Sequence, residues 1–227
     1  MKKRRSTKSA RPKLIGVIAS PADLRFALAM RTPPDLFELR LDCLAGMLDR
    51  VERKIDNLRA PLIITARDPR EGGANNLSFA TRRTLLLHFL PYAKYLDVEL
   101  RSARAFEPLL NRARKKNVRV ILSFHDFEST PSARTLRTKA AAAKKNGADI
   151  FKVACRTDSL GGLARLADFV SAKDVDLPAS AMGIGKFGSM SRMVLARLGS
   201  ALNYAALQQS HVEGQLPIEL LRSALRR

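Results

Sequence analysis

The chain has 227 residues and carries 41 Lys and Arg against 21 Asp and Glu, for a formal net charge of +20. Its length suits one large α/β domain or two small ones, and no run approaches the roughly 20 apolar residues that a membrane-spanning helix needs. The two cysteines, Cys43 and Cys155, match no metal-binding or redox spacing, so we expect a reduced, cytoplasmic setting.

The positive charge is densest at the start of the chain, where seven basic residues fall within residues 1–13. This stretch lacks the apolar segment of a secretory signal, and we interpret it as a disordered basic arm. The rest of the excess follows predicted helices. It is more typical of solvated helix faces than of a nucleic-acid-binding surface, because no aromatic residues interleave with it as a single-strand binder requires. The same positive field would steer small anionic substrates.

From residue 14 onward, short apolar runs alternate with longer amphipathic segments, without a linker or a break in composition. The short runs predict strands, and apolar residues at helical spacing predict helices. The predicted strands are 13–20, 35–42, 61–67, 95–100, 118–125, 148–155, 177–183 and, weakly, 200–205. The predicted helices are 22–31, 45–58, 77–90, 103–116, 132–146, 159–172, 189–198 and 217–226.

Eight alternating strand–helix units predict a single-domain α/β fold, a (β/α)8 TIM barrel over residues 14–227. A doubly wound open sheet is the alternative, because the chain is short for eight units. The two folds differ in where they would place polar side chains on the strands.

Polar side chains occupy one face of several predicted strands. Successive side chains of a strand alternate between two faces. In "FELRLD", Phe37 and Leu39 therefore share one face, and Glu38 and Arg40 share the other. The same alternation places on one face the pairs Thr65 and Arg67, Asp97 and Glu99, and Ser123 and His125, as well as Lys152. Buried charges must be paired, and only a barrel brings these faces together, at the strand ends where such barrels have their active sites.

The glycine motif "GIGKFG", residues 183–188, follows a predicted strand and precedes a helix. A dinucleotide site would also need an acidic residue about twenty positions later, and "LNYAAL" at 202–207 has none. We therefore interpret the motif as a tight turn with backbone amides near an anion, and not as a nicotinamide site.

Lys152, in the middle of "IFKVA", is the most informative candidate for chemistry. Desolvation favours the neutral amine of a lysine, which is the nucleophile that forms Schiff bases. His125, at the end of the preceding strand, is suited to proton transfer, and Arg40, Arg67 and Arg192 suit a carboxylated substrate. The residues thus predict a metal-free, imine-forming lyase or aldolase acting on a small anionic keto compound.

Eight motifs occur in order along residues 14–226: "ELRLD", "TARDPREGG", "LDVEL", "LSFHDFESTPS", "ADIFKVA", "MGIGKFGSMSR", "GSALNYA" and "GQLPI". Each motif alone is weak evidence, but the ordered set is specific, and it resembles the type I 3-dehydroquinate dehydratase family. That resemblance implies a (β/α) barrel, a homodimer and no cofactor. It also implies a place in chorismate and aromatic amino acid biosynthesis, the shikimate pathway.

The resemblance also implies residue roles. Lys152 would form an imine with the C3 ketone of 3-dehydroquinate, and His125, partnered by Glu71, would shuttle protons as water is lost to give 3-dehydroshikimate. Arg192 would bind the substrate carboxylate. The remaining implied substrate-binding residues are Glu38, Arg40, Arg67, His211 and Gln215.

One segment departs from the family pattern. Where the family usually has Ser-Ala-Pro-Gly-Gln in the lid after the eighth strand, this chain has "HVEGQ", residues 211–215. His211 replaces the substrate-facing serine and Glu213 replaces the proline, which loosens the loop and adds a negative charge. Two alternatives remain: an imine-forming barrel acting on a related keto acid, or a barrel without catalysis whose positive charge binds nucleic acid or a partner.

Overall fold

The computed structural model describes residues 11–172 and 176–226, and within them eight parallel strands surround a central axis. The strands are β1 (Lys13–Ile18), β2 (Leu36–Arg40), β3 (Leu62–Thr65), β4 (Ala93–Glu99), β5 (Arg119–Asp126), β6 (Ile150–Arg156), β7 (Ala179–Ile184) and β8 (Leu202–Ala206). The α-helices are α1 (Pro21–Ala29), α2 (Leu48–Glu52), α3 (Phe79–Phe89), α4 (Glu107–Lys115), α5 (Ala133–Lys145), α6 (Leu160–Ser171), α7 (Gly188–Arg197) and α8 (Ile218–Arg226).

The strands are hydrogen-bonded in chain order from β1 to β7, with β8 on the other side of β1. A gap remains between β7 and β8, and across it the Ala201 amide donates a hydrogen bond to the Ala179 carbonyl at 2.8 Å. The Ser180 hydroxyl bonds the Leu202 carbonyl there at 2.6 Å. Sequential order and near closure confirm the predicted barrel, and the doubly wound alternative is wrong.

Period-two alternation divides the apolar side chains into two layers. Phe37, Leu39 and Phe151 belong to the layer between the strands and the helices. A second cluster fills the barrel interior; it includes Ile15, Ile63, Tyr95, Ile121 and Ile150. Beyond this apolar cluster, toward the C-terminal ends of the strands, polar side chains occupy the same inward face and form the candidate site.

Two segments differ from the expectation. The helix predicted over 45–58 is instead α2 with a 3₁₀ turn on either side, and the backbone leaves helical geometry at Met47. The predicted arm overlaps the described chain at residues 11–13, where Arg11 pairs with Asp35 and Lys13 begins β1. The rest of the arm, residues 1–10, lies outside the described residues.

Candidate active site

The floor of the site is the Lys152 side chain, which projects from the middle of β6 into the barrel and is 4 % exposed. Its Nζ lies 2.9 Å from Asp97 Oδ2 and 3.3 Å from Glu38 Oε1. The ring of Tyr204 lies beneath the amine, with its centroid 4.1 Å away. The buried ammonium is thus compensated by two carboxylates and an aromatic face.

Arg67 extends this ion-pair network over the floor. Its guanidinium pairs with Asp97 at 3.0 Å and with Glu99 at 3.1 Å, and it donates to Ser123 Oγ at 2.6 Å. Burial alone would raise the pKa of Asp97, but the attraction of Arg67 and Lys152 lowers it below its usual range. Asp97 is therefore ionised, and the polar residues of four strands satisfy one another as the alternation predicted.

Two residues outside the predicted set support this network. Arg82 of α3 is 2 % exposed and pairs with Asp68 at 2.7 Å and Glu99 at 3.0 Å. Its position had a sequence signal, because Arg82 falls on the buried stripe of α3 with Leu86 and Phe89. Arginine on an apolar helix face requires a buried acid, and that acid is on β4.

The second supporting residue is Asp42, which follows β2 and whose side chain is fully buried. It pairs with Arg40 at 2.7 Å and accepts the backbone amide of Arg67 at 3.1 Å. Asp42 thereby fixes the direction of both the Arg40 side chain and the chain segment that follows β3.

His125 at the end of β5 pairs with Glu71, the two joined by Nδ1 and Oε2 at 3.0 Å. Burial lowers the pKa of His125 well below its usual range, and the positive charges of Arg67 and Lys152 lower it further. Burial raises the pKa of Glu71 to about 7, against the opposing attraction of Arg67. The histidine is therefore neutral, and with Nδ1–H donating to Glu71 its Nε2 is free to accept a proton.

The loop after β3 presents Glu71 to His125. Asp68 accepts the Arg70 amide at 2.9 Å and so caps a 3₁₀ turn over Pro69–Glu71. Gly72 then turns the chain with φ +82°, a conformation that favours glycine. The Glu71 carboxylate also accepts the backbone amide of His125 at 3.0 Å, so one side chain holds both the ring and the strand end.

Arg192, in the first turns of α7, is a buried cation in the site, 4 % exposed. It donates to the carbonyls of Gly214 at 3.1 Å and Tyr204 at 3.4 Å, and no carboxylate of the described residues forms an ion pair with it. Burial lowers the pKa of Arg192 to about 10. A buried guanidinium without a counter-charge is a ready partner for the carboxylate of a ligand.

Residues 207–216, between β8 and α8, cover the mouth of the barrel and are called the lid here. Gly214 packs backbone to backbone against Gly188: a Cβ built on Gly188 would lie 2.8 Å from the Gly214 Cα. This contact accounts for the last glycine of the "GIGKFG" motif, which lets the lid approach α7. His211 and Gln215 line the mouth, whereas Glu213 is 59 % exposed and pairs with Arg156 at 2.9 Å.

Together these groups surround one cavity at the mouth of the barrel. It is lined by all nine residues predicted from the sequence: Glu38, Arg40, Arg67, Glu71, His125, Lys152, Arg192, His211 and Gln215. The lining joins an amine, a proton-transfer pair and a cation that forms no ion pair with a carboxylate of the described residues, which suits a small organic acid. The individual roles of the nine residues stay predictions.

Residues 11–172 and 176–226 contain neither a candidate metal-binding cluster nor a candidate membrane-spanning helix. No three or more His, Cys, Asp and Glu side chains there are grouped so that they could hold a metal ion. No helix in those residues combines the length and the apolar character that crossing a membrane requires.

Comparison with known proteins gives one consistent result. Residues 21–227 match the model of the family described as type I 3-dehydroquinase. A 3-dehydroquinate dehydratase of Aromatoleum aromaticum is 34 % identical over 207 residues, covering 85 % of this chain and 79 % of the relative.

Solved structures agree. The crystal structure of 3-dehydroquinate dehydratase from Geobacillus kaustophilus superposes with a TM-score of 0.86 and 27 % identity, over 96 % of this chain and 91 % of that one. That of the type I enzyme from Clostridium difficile with covalently modified comenic acid gives 0.85 and 26 %, over 95 % and 92 %.

Proposed function

The chain belongs to the type I 3-dehydroquinase family, whose reaction is that of a hydro-lyase, and on that premise we propose that it dehydrates 3-dehydroquinate through an imine on Lys152. One observation carries the proposal. The same cavity presents the Lys152 amine, the His125–Glu71 pair and the unpaired Arg192 guanidinium. An amine that forms an imine, a proton shuttle and a carboxylate anchor are what the reaction requires.

The first stage joins the substrate to the enzyme. The Lys152 ammonium first gives a proton to His125, and the neutral amine then adds to the C3 ketone. The resulting carbinolamine takes this proton back on its oxygen and loses that oxygen as water, leaving a protonated imine. His125 transfers protons to and from the oxygen in this stage. Asp97 and Glu38, which lie 2.9 and 3.3 Å from the amine, then face the positive charge of the iminium and stabilise it.

The second stage expels water from the substrate. His125 Nε2 removes a proton from the carbon between the imine and the hydroxyl-bearing carbon, and the electron pair moves into the iminium to give an enamine. The enamine returns its electrons as the hydroxyl leaves with the proton held by His125. Addition of water to the conjugated imine then releases 3-dehydroshikimate and the free lysine.

Binding in this scheme depends on charge. Arg192 holds the substrate carboxylate, because its buried guanidinium has no carboxylate partner among the described residues. Glu38, Arg40 and Arg67 lie where the ring hydroxyls would face the β2 and β3 ends, and Gln215 approaches from the lid. We assign no cofactor or metal to the reaction.

The setting of the enzyme is also a proposal. A cytoplasmic location is supported by its biosynthetic chemistry and by two unpaired cysteines, Cys43 and Cys155. A homodimer is supported by large exposed apolar side chains on α7, directly after it and on the neighbouring α8: Met190, Leu198 and Leu220. Light scattering of the purified chain distinguishes a dimer from a monomer.

The activity test follows the conjugated product by its ultraviolet absorbance after 3-dehydroquinate is added. His125→Ala removes the proton shuttle and is expected to lower kcat roughly 10²- to 10⁴-fold. His88→Ala is the matched control, because His88 lies on α3, 53 % exposed, and pairs with Glu52 outside the cavity. Absence of product from the unsubstituted chain, or equal rates for the two variants, would overturn the proposal.

A further inference from the structure

The lid is a loop that is closed at its base. The Ala206 amide at the end of β8 donates to the Leu216 carbonyl at 2.9 Å, so the two ends of residues 207–216 meet. Such a base leaves the lid free to pivot unless contacts with the rest of the barrel hold it. The residue that makes those contacts at the β1 side is Asp23.

Asp23 lies in the first turn of α1 and its side chain is fully buried. Its Oδ2 accepts the Ser20 hydroxyl at 2.8 Å and the Ala19 amide at 3.2 Å, and Ser20 Oγ accepts the Asp23 amide in return. This reciprocal arrangement is a variant of the capping box, in which the carboxylate accepts the amide of Ala19 in place of the N-cap amide at the start of the helix. Capping alone does not require complete burial or the second carboxylate oxygen.

The rest of the carboxylate is directed to the lid. Oδ1 accepts the backbone amide of Gln208 at 3.2 Å, near the start of the lid, and Oδ2 lies 2.8 Å from His211 Nε2, in its middle. Among the described residues, His211 is the one side chain that forms an ion pair with Asp23. If the lid opened, this buried carboxylate would lose two partners at once.

His211 in turn holds the lid residue that faces the cavity. Its backbone amide donates to Gln215 Oε1 at 3.1 Å, which orients the side-chain amide of Gln215. With Oε1 occupied, the Gln215 amide N–H groups remain to donate to oxygen atoms of a ligand. A continuous chain of hydrogen bonds therefore runs from α1 through His211 to the mouth of the site.

We propose that Asp23 is a positioning residue of the active site: its carboxylate holds the lid closed through Gln208 and His211, and thereby places Gln215 over the bound substrate. The inference rests on the proposed function and deepens it. It also gives His211, where the family has serine, a role within the lid, as the link between Asp23 and Gln215.

The test is a double-mutant cycle on steady-state kinetics with 3-dehydroquinate. Asp23→Asn is expected to raise KM about 10-fold with kcat changed less than about threefold, because the lid contributes binding in ground and transition state alike. Gln215→Ala should have a similar effect. If Asp23 acts through Gln215, the double variant should raise KM no further than the larger single change.

Two controls separate positioning from helix capping. His211→Ala leaves the bonds between Ser20 and Asp23 intact and should raise KM as much as Asp23→Asn, so a higher KM in this variant cannot come from loss of the helix cap. Ser132→Ala removes the N-cap of α5, whose Oγ accepts the Thr135 amide at 3.1 Å, and should lower the unfolding midpoint with KM unchanged.

The outcomes are distinguishable from a failure of the proposed function, which would show as no turnover in the unsubstituted chain. With turnover present, three results would overturn the positioning role: an unchanged KM in Asp23→Asn, an unchanged KM in His211→Ala, or KM effects of Asp23→Asn and Gln215→Ala that multiply. A double variant no worse than either single one supports it.

Discussion

The floor of the site and its lid are held by different physical means. The floor is a set of strand residues whose charges compensate one another: Lys152 and Asp97 have side chains 5 % and 0 % exposed and lie 2.9 Å apart. The lid is held by contacts between segments remote in sequence. One of these contacts is the ion pair between Glu213 and Arg156, whose side chains are 59 % and 37 % exposed.

The difference explains which part is rigid and which part is replaceable. A buried charge that loses its partner is strongly destabilising, so each floor residue constrains the others. An exposed pair is screened by water and contributes little, so lid residues can change while the chemistry below persists. The departure at Glu213 occurs in this replaceable part, whereas His211 contacts the buried carboxylate of Asp23.

The largest effect is expected at the floor. Lys152→Arg retains the positive charge between Asp97 and Glu38 but cannot form the imine, so kcat should fall roughly 10⁶-fold, as when a covalent nucleophile is deleted. Lys186→Arg is the matched control, on the exposed turn before α7, and should retain full activity. Product absorbance measures the activity of both variants. Appreciable turnover by Lys152→Arg would mean that the floor tolerates substitution as the lid does.

Asp97→Ala tests the floor as a structural unit. It leaves Lys152 and Arg67 without their shared carboxylate, and the free energy of unfolding should fall by about 3–5 kcal/mol. Urea titration followed by circular dichroism measures it. Asp176, whose side chain is 92 % exposed, forms an ion pair with Lys144. Asp176→Asn removes this acid and should leave the urea midpoint unchanged. Equal midpoints for the two variants would contradict the account.

Glu71 predicts a pH dependence of stability. Its folded-state pKa is raised to about 7 from 4.5, so below pH 4.5 the folded and unfolded states are both protonated. Between pH 4.5 and 7 the unfolded state releases the proton while the folded state keeps it, and stability is lost as pH rises through this window.

Glu71→Gln cannot titrate, and the comparison is therefore between its unfolding curve and that of the unsubstituted chain. The unsubstituted chain should lose roughly 1–3 kcal/mol relative to Glu71→Gln between pH 4.5 and pH 8. Urea titrations at several pH values give this difference. A difference that stays constant with pH would show that the buried carboxyl keeps its ordinary pKa.

The smallest effect is expected at the exposed edge of the lid. Arg156→Ala removes the partner of Glu213, and KM should rise by no more than about threefold, with kcat unchanged, because exposed ion pairs contribute little. Steady-state kinetics at low and high salt check it. A KM change as large as that of Asp23→Asn would mean that the exposed edge holds the lid as firmly as the buried anchor does.

The same contrast governs what the sequence could predict. Strand alternation placed Glu38, His125 and Lys152 on one inward face, because side-chain direction in a strand follows from position alone. Resemblance added Glu71, whose position depends on a 3₁₀ turn and on Gly72. The broken helix at 45–58 shows the limit of periodicity, which indicates the buried face but not where the backbone leaves helical geometry.

Asp23 was identified neither by strand alternation nor by the family resemblance. Within the sequence it is part of an ordinary helix-capping motif, and its contact to His211 spans 188 positions. Arg82 was missed for a related reason, since its partners Asp68 and Glu99 belong to other elements. Long-range pairs of this kind depend on how the elements pack, which local patterns do not encode.

Borohydride reduction in the presence of 3-dehydroquinate, followed by peptide mass spectrometry, shows whether the substrate forms an imine with Lys152. We expect a ligand-derived mass on the peptide that contains Lys152, absent from Lys152→Arg and unchanged in Lys186→Arg. A chain that turns over the substrate without any adduct, or with the adduct on another lysine, would contradict the imine at Lys152.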